Sequence, residues 1–158
     1  RSRGHRVHSS GSYRQTPPAD EHEGLRRFAR SIAGDPVFLN KSQQRIAIDS
    51  IVEKLDRMEI PVAVGACDPV HCHVLIRVGT RDAKLIFGRA KQLASFRLRR
   101  PVPGKLWEGS SGVFRVNTKH RFWEVVAYIR DHAKHGACVW VNPKLESTIQ
   151  RQIEESPE

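Results

Sequence analysis

Residues 60–78 read IPVAVGACDPVHCHVLIRV, and the fold turns on how this stretch is divided. Ile60 to Cys67 is a short, uninterrupted run of small and β-branched apolar residues, the pattern of a buried strand. Asp68-Pro69 interrupts it as a turn, because proline lacks an amide hydrogen and an Asp side chain can bond the backbone ahead of it. Val70 to Val78 then predicts a second strand. Successive strand side chains point to opposite faces, so His71 and His73 project together while Cys72 projects the other way. Two imidazoles on one face can converge on one metal ion.

Working outward, helix and strand signals alternate around this pair. On the N-terminal side, Asn40 and Ser42 are N-cap candidates for a helix reaching about Met58, with Ile48, Ile51, Val52 and Leu55 on one stripe. Before it, Leu25 to Ile32 fits a first strand, though its pattern also suits a helix turn, and Asp35-Pro36 marks a loop. Residues 1–24 are Arg-, Ser-, Gly-, Pro- and His-rich without apolar periodicity, and are expected to be a disordered tail. On the C-terminal side, a helix is expected from about Asp82 to Leu98 and a Pro/Gly loop through PVPGKLWEGSSG. A strand at Val113 to Asn117 follows, then a helix from about Thr118 to His135 stopped near Gly136. ACVWV (137–141) fits a last strand. Residues 143–158 are expected to be a polar tail with a weak helical pattern, leaving 25–142 as the functional domain. The order β-α-β-β-α-β plus a helix implies an α+β class: a ferredoxin-like antiparallel sheet with an additional C-terminal helix, which carries Tyr128. That fold hosts many functions.

Composition narrows the classes. The 158 residues hold 27 Lys and Arg against 17 Asp and Glu, a formal net charge of +10. From Lys84 to Arg121 every charged side chain except Glu108 is basic. A solvated basic face is the plain reading of such a run, but aromatic residues are interleaved in it (Phe96, Trp107, Phe114). Phosphates call for cations and unpaired bases for aromatic faces, so nucleic acid is the expected partner. No apolar run approaches the ~18 residues that span a membrane. Three cysteines make no closed disulfide framework, which favours a reducing, cytoplasmic setting.

Tyr128 and His132 stand four apart on the expected last helix and share a face, off the apolar stripe of Phe122, Val125, Val126, Ile129 and Ala133. A helix tyrosine of this kind is commonly a boundary residue with its hydroxyl in water. Tyr13, in the tail, is the only other tyrosine.

Taken together, His71-Cys72-His73 after Asp68-Pro69 and Tyr128-Ile129-Arg130-Asp131-His132 on a later helix resemble the single-tyrosine HUH transposases. Leu106-Trp107 and Val113-Phe114-Arg115-Val116 are similar to the REP-associated, insertion-sequence-200-like branch. The likeness spans about residues 25 to 140. It departs from the family at Asp68-Pro69-Val70, where Met-Pro-Asn is usual, and at His132-Ala133, where one branch has Asn-Pro.

The resemblance implies a metal-dependent endonuclease and strand-transferase acting on single-stranded, hairpin-bearing DNA, in the cytoplasm of a bacterium and at its nucleoid. Tyr128 would be the nucleophile, and His71, His73 and His132 the ligands of a divalent magnesium or manganese ion. Lys91, Arg97, Arg99, Arg100, Lys105 and Arg115 would contact phosphates, and Trp107 or Phe114 would stack on bases. The protein would act as a monomer or homodimer. Two alternatives stand beside it. One is a non-catalytic, domesticated nucleic-acid-binding domain of the same fold. The other is a structural zinc site drawing on Cys67, Cys72 and Cys138 with His71 and His73 nearby.

Overall fold

A computed structural model describes residues 37–107 and 111–154. The chain divides into two compact units, one of residues 37–106 and 113–158, the other of residues 1–36 and 107–112. Every element below belongs to the first unit, and the expected tail and first strand of residues 1–32 lie outside the described residues. Among the described residues the class is α+β, with four α-helices and a three-stranded antiparallel sheet.

The first helix, α1, is Lys41–Arg57. Asn40 starts it through a capping box: its side chain accepts from the Gln43 amide while the Gln43 side chain accepts from the Asn40 amide. Ala47, Ile48, Ile51 and Leu55 form its fully buried stripe. Strand β1 is Val62–Cys67 and β2 is Cys72–Ile76. Helix α2, Ala83–Leu98, is capped by Asp82, whose carboxylate accepts from the Lys84 and Leu85 amides. Ile86, Ala90, Ala94 and Leu98, at helical spacing, are its buried face, and α2 packs on α1.

Helix α3 is Lys119–Asp131, with Thr118 as its cap. It tightens into one 3₁₀ turn, His132–His135, and stops at Gly136, whose φ of 87° is left-handed backbone that glycine adopts without a Cβ penalty. Strand β3, Cys138–Val141, and helix α4, Pro143–Glu154, complete the unit. The stretch expected to be a polar tail thus folds, and its Ile149 is buried in the core beside half-buried Leu145.

The strand order is β2-β1-β3, both pairings antiparallel. Alternation along β1 gives the sheet two different faces. Val64 and Ala66 join Val126, Ile129, Ala137 and Ile149 in one core cluster, so α3 and α4 cover that face. Gly65 points the opposite way, toward Ile48 of α1. A Cβ at Gly65 would lie 2.7 Å from Ile48 Cδ1 and 3.3 Å from Val74 Cγ1, so α1 and β1 approach each other only because the side chain is absent. Gly65→Ala is expected to destabilise the fold by about 1–3 kcal/mol through overpacking. A lowered denaturant midpoint with an unchanged slope checks this, and an unshifted midpoint contradicts it.

One expected strand does not form. Residues 111–117, including Val113-Phe114-Arg115-Val116, are irregular, with Phe114 89% exposed. Strand propensity is realised only against a partner edge and a buried face, and this segment has neither among the described residues. The sheet therefore ends at β2 on that side within the described chain. The finer topology that the ferredoxin-like order requires involves the strand expected before α1, outside the described residues.

Candidate active site

The loop between β1 and β2 is built around Asp68. Its Oδ1 accepts from the amides of Val70 at 2.7 Å and His71 at 2.6 Å, while its own amide donates to the His71 carbonyl at 2.9 Å. These bonds close a tight turn that proline at 69 tolerates, having no hydrogen to satisfy. The second carboxylate oxygen faces His71 Nδ1 at 3.5 Å. Burial works against the charged Asp68, but the two amide bonds and the His71 imidazole outweigh it and hold the carboxyl below its ordinary value. Sequence reasoning took Asp68 for a turn residue alone. The signal that would have found it is spacing: a carboxylate three residues before the first His of the pair.

His73 stands opposite Ala66 in the register, on the face that α3 covers. The strand expected from Val70 begins at Cys72, so His71 stands just ahead of β2, while alternation puts Cys72, opposite Cys67, on the α1 side. The structure brings the two motifs together on the face that α3 covers. The His73 ring lies 4.7 Å from that of His132 and 6.0 Å from that of Tyr128, and Tyr128 and His132 are 4.8 Å apart. His71 and His73 are stacked at 6.2 Å. His132 Nδ1 meets the Tyr128 carbonyl at 2.9 Å; a carbonyl only accepts, so Nδ1 donates there and Nε2 is the nitrogen left to face a ligand. Burial, then the nearby His132 and His71, lower the pKa of His73, which favours the neutral ring that ligation requires. Tyr128 is 59% exposed, off the apolar stripe as expected, so its ring is open to a bulky ligand.

Among the described residues no three His, Cys, Asp or Glu side chains form a group that could hold a metal as they stand. Two imidazoles sharing an ion at ~2.1 Å, at neighbouring coordination positions, place their centroids roughly 4.5–5.5 Å apart. The His73–His132 spacing falls in that range, and the His71–His73 spacing lies beyond it. His71 has a side chain 67% exposed and room to turn. The donor set of three imidazoles, with Nδ1 of two of them directed at oxygen acceptors, is chemically suited to a divalent transition ion.

The basic residues are not gathered in the same way. Arg97 forms an ion pair with Glu53 and contacts Ser50 Oγ at 3.3 Å, tying α2 to α1. Arg99 stacks over Phe96 at 3.8 Å, and Phe96 itself is 60% exposed. Lys91 is half-buried, its ammonium 5.2 Å from the Phe87 ring. Arg100, Lys105 and Arg115 are exposed. Trp107 is half-buried and belongs to the other compact unit.

The chain matches no family model, no curated protein and no solved structure. No helix among the described residues is long and apolar enough to cross a membrane.

Proposed function

We propose that the chain is a metal-dependent single-strand DNA nicking and joining enzyme, of the kind the HUH single-tyrosine transposases represent, with a ferredoxin-like fold. The observation that carries this reading is the convergence of Tyr128 and His132, from α3, on His73 of β2.

His73 and His132 would hold a divalent cation, with His71 turning in as a third ligand. Bound there, the cation would polarise the non-bridging oxygens of the scissile phosphate. Both imidazoles near Tyr128 sit at the C-terminal end of α3, whose dipole favours a cation. The Tyr128 hydroxyl would attack phosphorus: the phenolic O–P bond forms, the P–O3′ bond breaks, the phenol loses its proton and the departing 3′ oxygen gains one. The 5′-phosphotyrosine conserves the bond energy, so a 3′-hydroxyl can reverse the step without ATP. Arg99 over exposed Phe96, with Arg100, Lys105, Phe114 and Arg115, would carry phosphate and base contacts.

Incubation of the protein with labelled single-stranded hairpin libraries and manganese or magnesium tests the proposal. Metal-dependent nicks at discrete positions are expected. Tight, salt-sensitive binding with no cleavage under either metal would favour a domesticated binding domain instead.

Two further outcomes follow from the geometry. Asp68→Asn keeps an Oδ1 acceptor for the turn but loses the carboxylate facing His71. It is expected to melt close to wild type while its metal affinity falls about 10–100-fold, the usual cost of losing an outer partner of a histidine ligand. Equal manganese affinity in the two proteins would remove Asp68 from the site. The pH dependence has a definite sign. The folded pKa of His73 lies below its ordinary 6.5, so His73 is neutral at pH 7 and protonates only on acidification. Metal-dependent cleavage should therefore hold from pH 8 through about 6.5 and fall below it. The same depressed value makes the fold's own stability fall as pH drops through that lower range, since the unfolded chain binds the proton more tightly. A cleavage rate still rising as pH falls to about 5 would contradict this.

A further inference from the structure

On the α1 side of the sheet, the three cysteines occupy a single rung. Cys67 of β1 is the register partner of Cys72 on β2 and of Cys138 on β3. The two pairings are not equivalent. The Asp68 amide donates to the His71 carbonyl, so 68–71 is a hydrogen-bonded rung and 67–72, next along the ladder, is a non-hydrogen-bonded one. The Asn142 amide donates to the Ala63 carbonyl, which by the same alternation makes 67–138 hydrogen-bonded. Non-hydrogen-bonded partners stand about 4.5 Å apart at Cα, against about 5.5 Å for the other kind, with their side chains closer. The Cys67 thiol reaches the Asp68 carbonyl at 3.6 Å, at the mouth of the turn that joins the two strands. The Cys138 thiol instead reaches the Lys41 carbonyl at 3.5 Å. All three are free thiols.

We propose that Cys67 and Cys72 are a modification site: they close a reversible cross-strand disulfide that tethers β2 between His71 and His73. The Cα separation expected for such a pair suits a disulfide. A small-molecule disulfide such as oxidised glutathione supplies the oxidising equivalents. Cys72, partly buried but more accessible than Cys67, attacks one of its sulfurs, releasing one glutathione thiol and leaving a mixed disulfide. Cys67 then attacks the Cys72 sulfur, forming the Cys67–Cys72 bond and releasing the second thiol. Two protein thiols are oxidised and one disulfide is reduced, so electrons and protons balance. A dithiol reductant reverses both steps.

Closure joins the two sulfurs and draws on the backbone of the residue separating the two histidines. The consequence for cleavage rests on the function proposed above, whereas the crosslink does not. The test equilibrates the purified chain in oxidised glutathione, counts thiols after denaturation and maps the peptides. Free thiols are expected to fall from three to one, with a Cys67–Cys72 peptide pair lighter by two hydrogens. Cys138→Ser should still form it and Cys72→Ser should not, both confirmed as folded by circular dichroism. Three thiols remaining after equilibration at raised pH, or a crosslink containing Cys138, would overturn the assignment. Where cleavage is measurable, oxidation should slow it severalfold and reduction restore it, with Cys72→Ser insensitive to both. A quantitatively crosslinked protein that cleaves at the reduced rate would overturn the tether, while an inactive protein that still crosslinks would count against the nuclease reading alone.

Discussion

Tyr128→Phe is expected to abolish strand cleavage, by at least about a thousandfold, because it removes the oxygen that would form the bond to phosphorus while leaving the ring in place. The ring makes edge-on contacts with His73 and His132 that phenylalanine can keep, and Tyr128 is largely exposed, so stability should barely change. Binding of single-stranded DNA should remain within a few-fold of wild type, since the exposed Arg and Lys side chains are untouched. Cleavage measured under single-turnover conditions separates this from a slowed product release. Cleavage surviving at a tenth of the wild-type rate would mean that another oxygen attacks.

His73→Ala is the second large effect. His73 is the member of the cluster that meets every other: His71, His132 and Tyr128 all lie within about 6 Å of its ring. It is half-buried at the junction of β2 and α3. Removing it should weaken manganese binding and lower metal-dependent cleavage by at least about a hundredfold, a larger loss than for an outer partner such as Asp68. His71→Ala should be milder in binding, because His71 is exposed and stands outside the ligand spacing until it turns. If His73→Ala cleaves as well as wild type with manganese, the metal lies elsewhere in the molecule.

Much of the fold was legible because strong local signals and burial agree. Asn40, Asp82 and Thr118 combine capping chemistry with an apolar stripe just after them, and the helices begin where the caps stand. The run from Val62 to Cys67 is buried along nearly its whole length, and it forms the central strand. Val113 to Asn117 carries an equally good strand composition, yet among the described residues it has neither a partner edge nor a buried face, which no composition encodes. The C-terminal helix misled in the other direction. Its polar residues dominate the sequence, while Ile149 and Leu145 suffice to dock it on the sheet.

For the candidate site, alternation on a strand and i,i+4 spacing on a helix correctly placed each motif on one face. That the two faces meet is a tertiary fact, set by α3 packing on the Val64 and Ala66 side of β1 rather than on the Gly65 side. Asp68 was visible as a residue but not as a partner of His71. Arg97 shows the converse: a basic side chain in a basic run is engaged by Glu53, a residue of a different helix.

In the proposed reaction Tyr128 becomes covalently joined to DNA, and a denaturing gel of the protein incubated with single-stranded hairpin oligonucleotides and manganese, followed by peptide mapping of any adduct, detects that bond. A metal-dependent protein–DNA adduct is expected on the peptide containing Tyr128, absent from Tyr128→Phe. An adduct mapping to another residue, or discrete metal-dependent nicks with both new ends free and no adduct at any time point, would contradict it.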